Sequence, residues 1–141
     1  VSLSVFAVAK EVRAQLLKRN VPRNLAGECG LAAMLIADRI GDPWALRTGC
    51  YMARDHMLSW GLRYPHRHAW CQIGSMILDV TATQFSGCHR AVHTTTDRSR
   101  YVEFASGPDA ISDIMNVWCA RKLPEYGKLA RRLREKLRHA C

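Results

Sequence analysis

The chain has 141 residues, of which 48% are hydrophobic and 23% charged, with a net charge of +9. That size suits about one domain with a core large enough to fold without cross-links, and the balance excludes wholesale disorder. No apolar run approaches the roughly 18 residues that a membrane span requires.

The first stretch, Val1 to Ala9, is apolar but short and lacks a basic start, so it reads as the opening of a helix and not as a signal peptide. Val5, Val8, Val12 and Leu16 follow helical spacing, which predicts a helix from Val5 to Arg19 that ends at Asn20 and Pro22. A loop then delivers Cys29 to a second helix, Gly30 to Ile40, apolar nearly all round until Asp38 and therefore central. Gly41 and Pro43 stop it. Ala45 to Met52 reads as a strand and His56 to Tyr64 as a loop. Arg67 to Ile73 and Met76 to Thr81 read as two strands around Gly74-Ser75. Ser86 to Arg100 is polar and reads as an exposed loop or edge structure. Gly107-Pro-Asp starts a helix whose Ile111, Ile114, Met115 and Trp118 form one stripe. A separate last helix, Glu125 to Arg138, puts Leu129, Leu133 and Leu137 on one side. With no repeat or linker, residues 1–141 form a single α+β domain: a central buried helix on a small antiparallel sheet, flanked by N- and C-terminal helices.

The six cysteines (Cys29, Cys50, Cys71, Cys88, Cys119 and Cys141) include no Cys-x-x-Cys pair, which disfavours a zinc ribbon or a thioredoxin-like motif. Most read as small core hydrophobes, and together they lean towards a reducing, cytoplasmic compartment. The chain begins at Val, without Met, which suits a mature form or a domain cut from a longer protein, such as a secreted bacterial effector or toxin domain. Much of the positive charge gathers between Arg121 and Arg138. It reads as a solvated helix face, or as a grip for an acidic protein or, alternatively, nucleic acid.

Cys29 opens the most apolar helix, where the positive end of the backbone dipole favours a thiolate. If Gly74-Ser75 is a two-residue turn, Cys71 opposes Leu78, Trp70 opposes Asp79 and His68 opposes Thr81. His68, Trp70, Asp79 and Thr81 then share one face. Asp79 becomes the diagonal neighbour of His68, roughly 7–8 Å away between backbones. Cys71 points to the other face with Ala69, Leu78 and Val80, which disqualifies it as the partner of His68. A thiol nucleophile needs a base, and an imidazole needs a third group to fix its tautomer and stabilise its cation. Cys29, His68 and Asp79 supply those three parts, and the Cys29 backbone amide at the helix start is suited to an oxyanion.

Gly27-Glu-Cys-Gly-Leu-Ala-Ala33, His68-Ala-Trp70 and Ile77-Leu-Asp-Val-Thr81 together resemble the papain-like, transglutaminase-like superfamily of Cys-His-Asp enzymes over residues 24–85. The resemblance implies Cys29 as nucleophile, His68 as general base and then acid, and Asp79 as its orienter. It also implies a nucleophile helix packed on an antiparallel sheet. Papain-type proteases carry a glutamine before the cysteine as oxyanion donor, and none lies between Asn20 and Glu28; Asn24 is the candidate substitute. Glu28, beside the nucleophile, is expected to face solvent. Trp70 and Trp44, with Trp60 and Tyr64, are candidates to line a substrate groove, with core packing as the competing role. His66, His89 and His93 read as scattered surface histidines and not as metal ligands, and no cofactor is implied.

The expected function is thiol-dependent acyl transfer on a protein or peptide amide, by a glutamine deamidase or cysteine protease. A transglutaminase with an amine acceptor is one alternative. A non-catalytic basic module that binds nucleic acid or an acidic protein is the other.

Overall fold

The structure, a computed structural model, describes residues 3–19, 28–57, 63–85 and 90–139. Five strands, β1 (Leu46–Met57), β2 (Arg63–Ile73), β3 (Met76–Asp79), β4 (His93–Thr95) and β5 (Tyr101–Ser106), form one sheet in the order β4-β3-β2-β1-β5. Every neighbouring pair is antiparallel. Helices α1 (Leu3–Leu17), α2 (Cys29–Ile40) and α3 (Pro108–His139) complete an α+β fold. Among the described residues, no helix is long and apolar enough to cross a membrane.

In α2, every residue from Cys29 to Ala37 is buried, as its unbroken apolar pattern demands. Full burial of Leu31, Met34, Leu35 and Ile36 contributes roughly 1.5–3 kcal/mol for each side chain. Helix α1 offers Ala9, Val12 and Leu16 to the same core, and α3 offers Ile111, Ile114, Leu129 and Leu133. From the sheet come Leu46, Ala69, Cys71, Leu78 and Val80. α3 packs closely over Gly30, where a Cβ would lie 3.1 Å from Ile114 and 3.2 Å from Trp118. Gly41 ends α2 in the left-handed conformation, its N–H directed at the carbonyls of Ala37 and Asp38.

The hairpin register follows the two-residue turn: Ile73 faces Met76, Gln72 faces Ile77 and Cys71 faces Leu78. Strand parity therefore divides the sheet. Ala69, Cys71, Leu78 and Val80 meet the helices, while Tyr51, Trp70, Ile77, Phe85 and Tyr101 form a second cluster on the other face.

Three expectations change. β1 runs on to Met57 and β2 begins at Arg63, so both ends of the expected 56–64 loop are strand, while 58–62 lie outside the described residues. The expected break before Glu125 is absent, since α3 is a single helix with Pro124 inside it. Proline removes one backbone donor, but here the helix is anchored on the core both before it, by Ile111 and Ile114, and after it, by Tyr126 and Leu129. Strand β5 is not anticipated at all, although Tyr101-Val-Glu-Phe104 has the composition of a strand.

Candidate active site

Cys29 is the first residue of α2, and Glu28 before it makes no side-chain cap. The helix end is completed from α3 instead, where the Tyr126 hydroxyl accepts the Leu31 N–H at 3.1 Å. Burial pushes the Tyr126 phenol up, and the neighbouring Cys29 and Glu28 push it further. Glu28 departs from expectation. It is only 8% exposed, and its charge is felt by Arg19 as well as by Tyr126. A carboxylate is tolerated at that depth because it sits at the positive end of a helix dipole and near a guanidinium.

His68 and Asp79 lie together on the aromatic face. Nε2 of His68 is 2.6 Å from Oδ2 of Asp79, and the histidine is fully buried. Asp79 is 2% exposed and accepts three further hydrogen bonds. The Thr81 N–H and hydroxyl reach Oδ1 at 2.9 and 3.1 Å, and the Tyr101 hydroxyl reaches Oδ2 at 2.9 Å. Burial alone would lower the imidazole, but the charge of Asp79 and its short hydrogen bond win, and His68 is pushed up to about 10. Burial alone would likewise raise Asp79, yet the same pairing, aided by Thr81 and Tyr101, holds its carboxyl below the ordinary range. An imidazolium–carboxylate pair is therefore the resting form at neutral pH.

With Nε2 committed to Asp79, Nδ1 is the nitrogen left for a nucleophile, and it makes no well-aligned hydrogen bond among the described residues. Cys29 lies close enough to His68 to help raise its imidazole. Cys29 packs with the helix-facing core and His68 with the aromatic face, and Cys29 lines one small cavity with Trp70, Asp79 and Thr81.

The imidazole is walled by aromatic rings. Phe85 stands edge-on at 5.0 Å, Tyr51 edge-on at 5.9 Å, and Trp70 lies nearly parallel at 6.1 Å. Trp70 is 2% exposed, which makes it a wall of a buried site rather than of an open groove. Trp44 is half exposed and packs over Gly107 at the start of α3. Asn24 and Trp60 lie outside the described residues, as do Cys88 and His89. Cys71 faces the helices as its parity requires and donates to the Ala33 carbonyl at 3.3 Å. Burial first, and then the charge of Asp79, push that thiol up to about 12.

Tyr101 escapes a reading of the sequence alone. The strand that carries it follows a polar stretch, and its face depends on an irregularity. Between β1 and β5, Thr48 pairs with Ala105 but Gly49 pairs with Glu103, so Phe104 is the extra residue. Without that slip Val102 would oppose Tyr51, and Tyr101 would turn away from His68. Gly49 permits the close approach, since a Cβ there would stand 1.9 Å from the Val102 carbonyl oxygen. Gly49 is also directly opposite His68 on β2.

The chain matches no protein-family model, no curated protein and no solved structure.

Proposed function

We propose that the chain is a cysteine-nucleophile enzyme that acts on an amide bond of a protein or peptide, with a papain-like, transglutaminase-like arrangement of Cys29, His68 and Asp79. The observation that carries the reading is the buried 2.6 Å contact between His68 and Asp79, which leaves the second imidazole nitrogen for Cys29 at the head of α2. Two buried charges cost several kcal/mol unless paired, and hydrophobic residues of similar volume would stabilise the fold at least as well. An ion pair set beside a thiol has a chemical use that an apolar pair lacks.

In the proposed reaction the Cys29 thiolate attacks the amide carbonyl carbon, and the first-turn amides of α2, led by that of Cys29, bind the oxyanion. The Leu31 amide is engaged by Tyr126, so the donors left are those of Cys29 and Gly30. The tetrahedral intermediate expels the amine, which takes its proton from the His68 imidazolium and leaves a thioester on Cys29. Neutral His68 then accepts a proton from the incoming nucleophile, which displaces the thiolate and restores the ion pair. Water as that nucleophile gives deamidation or proteolysis, and an amine gives transglutamination. Asp79 keeps the imidazole in the required tautomer and stabilises its charge.

The test is covalent labelling with iodoacetamide at neutral pH, followed by intact-mass analysis of candidate protein substrates. The wild type is expected to be alkylated at Cys29 and to alter its substrate. A gain of one dalton signals deamidation, chain cleavage a protease, and an amine adduct transfer. Cys29→Ala is expected to lose the activity by about 10³-fold or more. An unreactive Cys29, or an activity untouched by the substitution, removes the reading.

A second reading rests on α3, where Lys128, Arg131, Arg132 and Arg134 are all exposed. A basic helix of this kind suits an acidic protein or nucleic acid, and binding to nucleic acid that weakens steeply with added salt would favour it.

A further inference from the structure

We infer that Tyr101 is a positioning residue of the site: its hydroxyl aims Asp79 at His68, and the one-residue slip between β1 and β5 delivers it there. The role rests on the Cys29–His68–Asp79 reading.

The four hydrogen bonds to Asp79 are not equivalent. Oδ1 is held by Thr81, two residues along the same chain, through its N–H and hydroxyl. That local turn forms whatever the distant strands do. Oδ2 is shared by His68 on β2 and Tyr101 on β5. Two donors from separate strands on one oxygen fix where its lone pairs point, and so fix the line along which the imidazole is held. With all four acceptor positions engaged, a proton could enter the carboxyl only by displacing a donor.

The ring of Tyr101 has a different task. It packs edge-on against Tyr51 and Trp70, both at 5.1 Å, and stacks on His93 at 6.4 Å. Phenylalanine would satisfy those contacts. The hydroxyl is the one part that packing does not require, and it is the part that reaches Asp79. Among the described residues, the titratable groups around Asp79 are His68 from β2, Tyr101 from β5, His93 directly across on β4, Cys29 from α2, and Cys71 on the other face of β2. Of these, Tyr101 is the hydroxyl donor that shares the imidazole-facing oxygen.

The experiment compares the wild type with Tyr101→Phe by carbon-13 NMR of the Asp79 carboxyl, alongside the pH profile of Cys29 alkylation by iodoacetamide. Loss of one donor to a buried carboxylate is expected to move the Asp79 midpoint upward by about half to one pH unit. Alkylation of Cys29 at neutral pH is expected to slow several-fold while the circular dichroism stays native. A midpoint that does not move overturns the inference even if the variant is less stable. If the variant does not fold, the wild type decides: a slowly exchanging Tyr101 hydroxyl proton that is lost as Asp79 titrates upholds the role, and a rapidly exchanging one overturns it. A shifted Asp79 beside a Cys29 that is inert in the wild type overturns the thiol reading, and with it the positioning role.

Discussion

Cys71 and His68 stand three residues apart on β2, yet they face opposite sides of the sheet and meet opposite chemistry. On the helix-facing side the Cys71 thiol is buried among Leu, Ile and Ala side chains, gives its hydrogen to the Ala33 carbonyl, and is pushed up to about 12. On the aromatic side His68 is just as dry, yet it is pushed up to about 10 because Asp79 holds its proton from 2.6 Å. Burial is common to both faces. The aromatic side differs in having a carboxylate whose own acceptors are filled from three directions, so that a charged pair persists where a lone charge would be neutralised.

Asp79→Asn should break that contrast most completely. With the carboxylate gone, burial becomes the dominant influence on His68, and its titration should fall from about 10 to near or below the ordinary 6.5, read by NMR. The proposed acyl transfer should drop by about 10³–10⁴-fold, and stability at neutral pH by on the order of 3 kcal/mol. The pH dependence has a definite sign. The raised His68 contributes stability that is fully present below pH 6.5 and lost as pH rises towards about 10. The depressed Asp79 contributes stability present above pH 3.8 and lost as pH falls through its lower folded value. Urea unfolding across both windows should show the two losses in the wild type and neither in the variant.

Gly49→Ala attacks the face through its backbone. The new Cβ would meet the Val102 carbonyl, so β5 must move away or shift its register. A loss of about 2–3 kcal/mol is expected in urea, together with weaker hold of Tyr101 on Asp79. Tyr126→Phe sharpens the comparison from the helix side. It strips the Leu31 amide of its acceptor and should cost about 1 kcal/mol by thermal unfolding while His68 still titrates near 10. Among the described residues Asp38, at the far end of α2, pairs with Lys136 and Arg132, and Lys136→Ala removes the first and leaves the second. That change should stay within about 1 kcal/mol and leave Cys29 alkylation unchanged.

Much of the site is legible because it is local. The spacing of His68 and Asp79 about Gly74-Ser75 fixes their shared face, and the apolar run after Cys29 fixes a buried helix with the thiol at its head. Glu28 defeats a local reading, because its burial beside Cys29 is accommodated by Arg19 and the helix end, which come together in the folded chain. Pro124 defeats it in another way, because packing on both sides carries α3 through a residue that by itself predicts a break.

Hydrophobic periodicity and turn chemistry by themselves determined the first two helices of this protein, the β2–β3 hairpin register and which side chains of β2 and β3 face together. Those properties depend on neighbours within a few residues, where the geometry of helix and strand leaves little choice. The contact between the first turn of α2 and the imidazole, the capping of that turn by Tyr126 and the hydroxyl of Tyr101 on Asp79 were decided by the tertiary structure alone. Each joins residues far apart in the chain, and the last turns on a single slipped residue opposite Gly49, a displacement that leaves no periodic trace in the sequence.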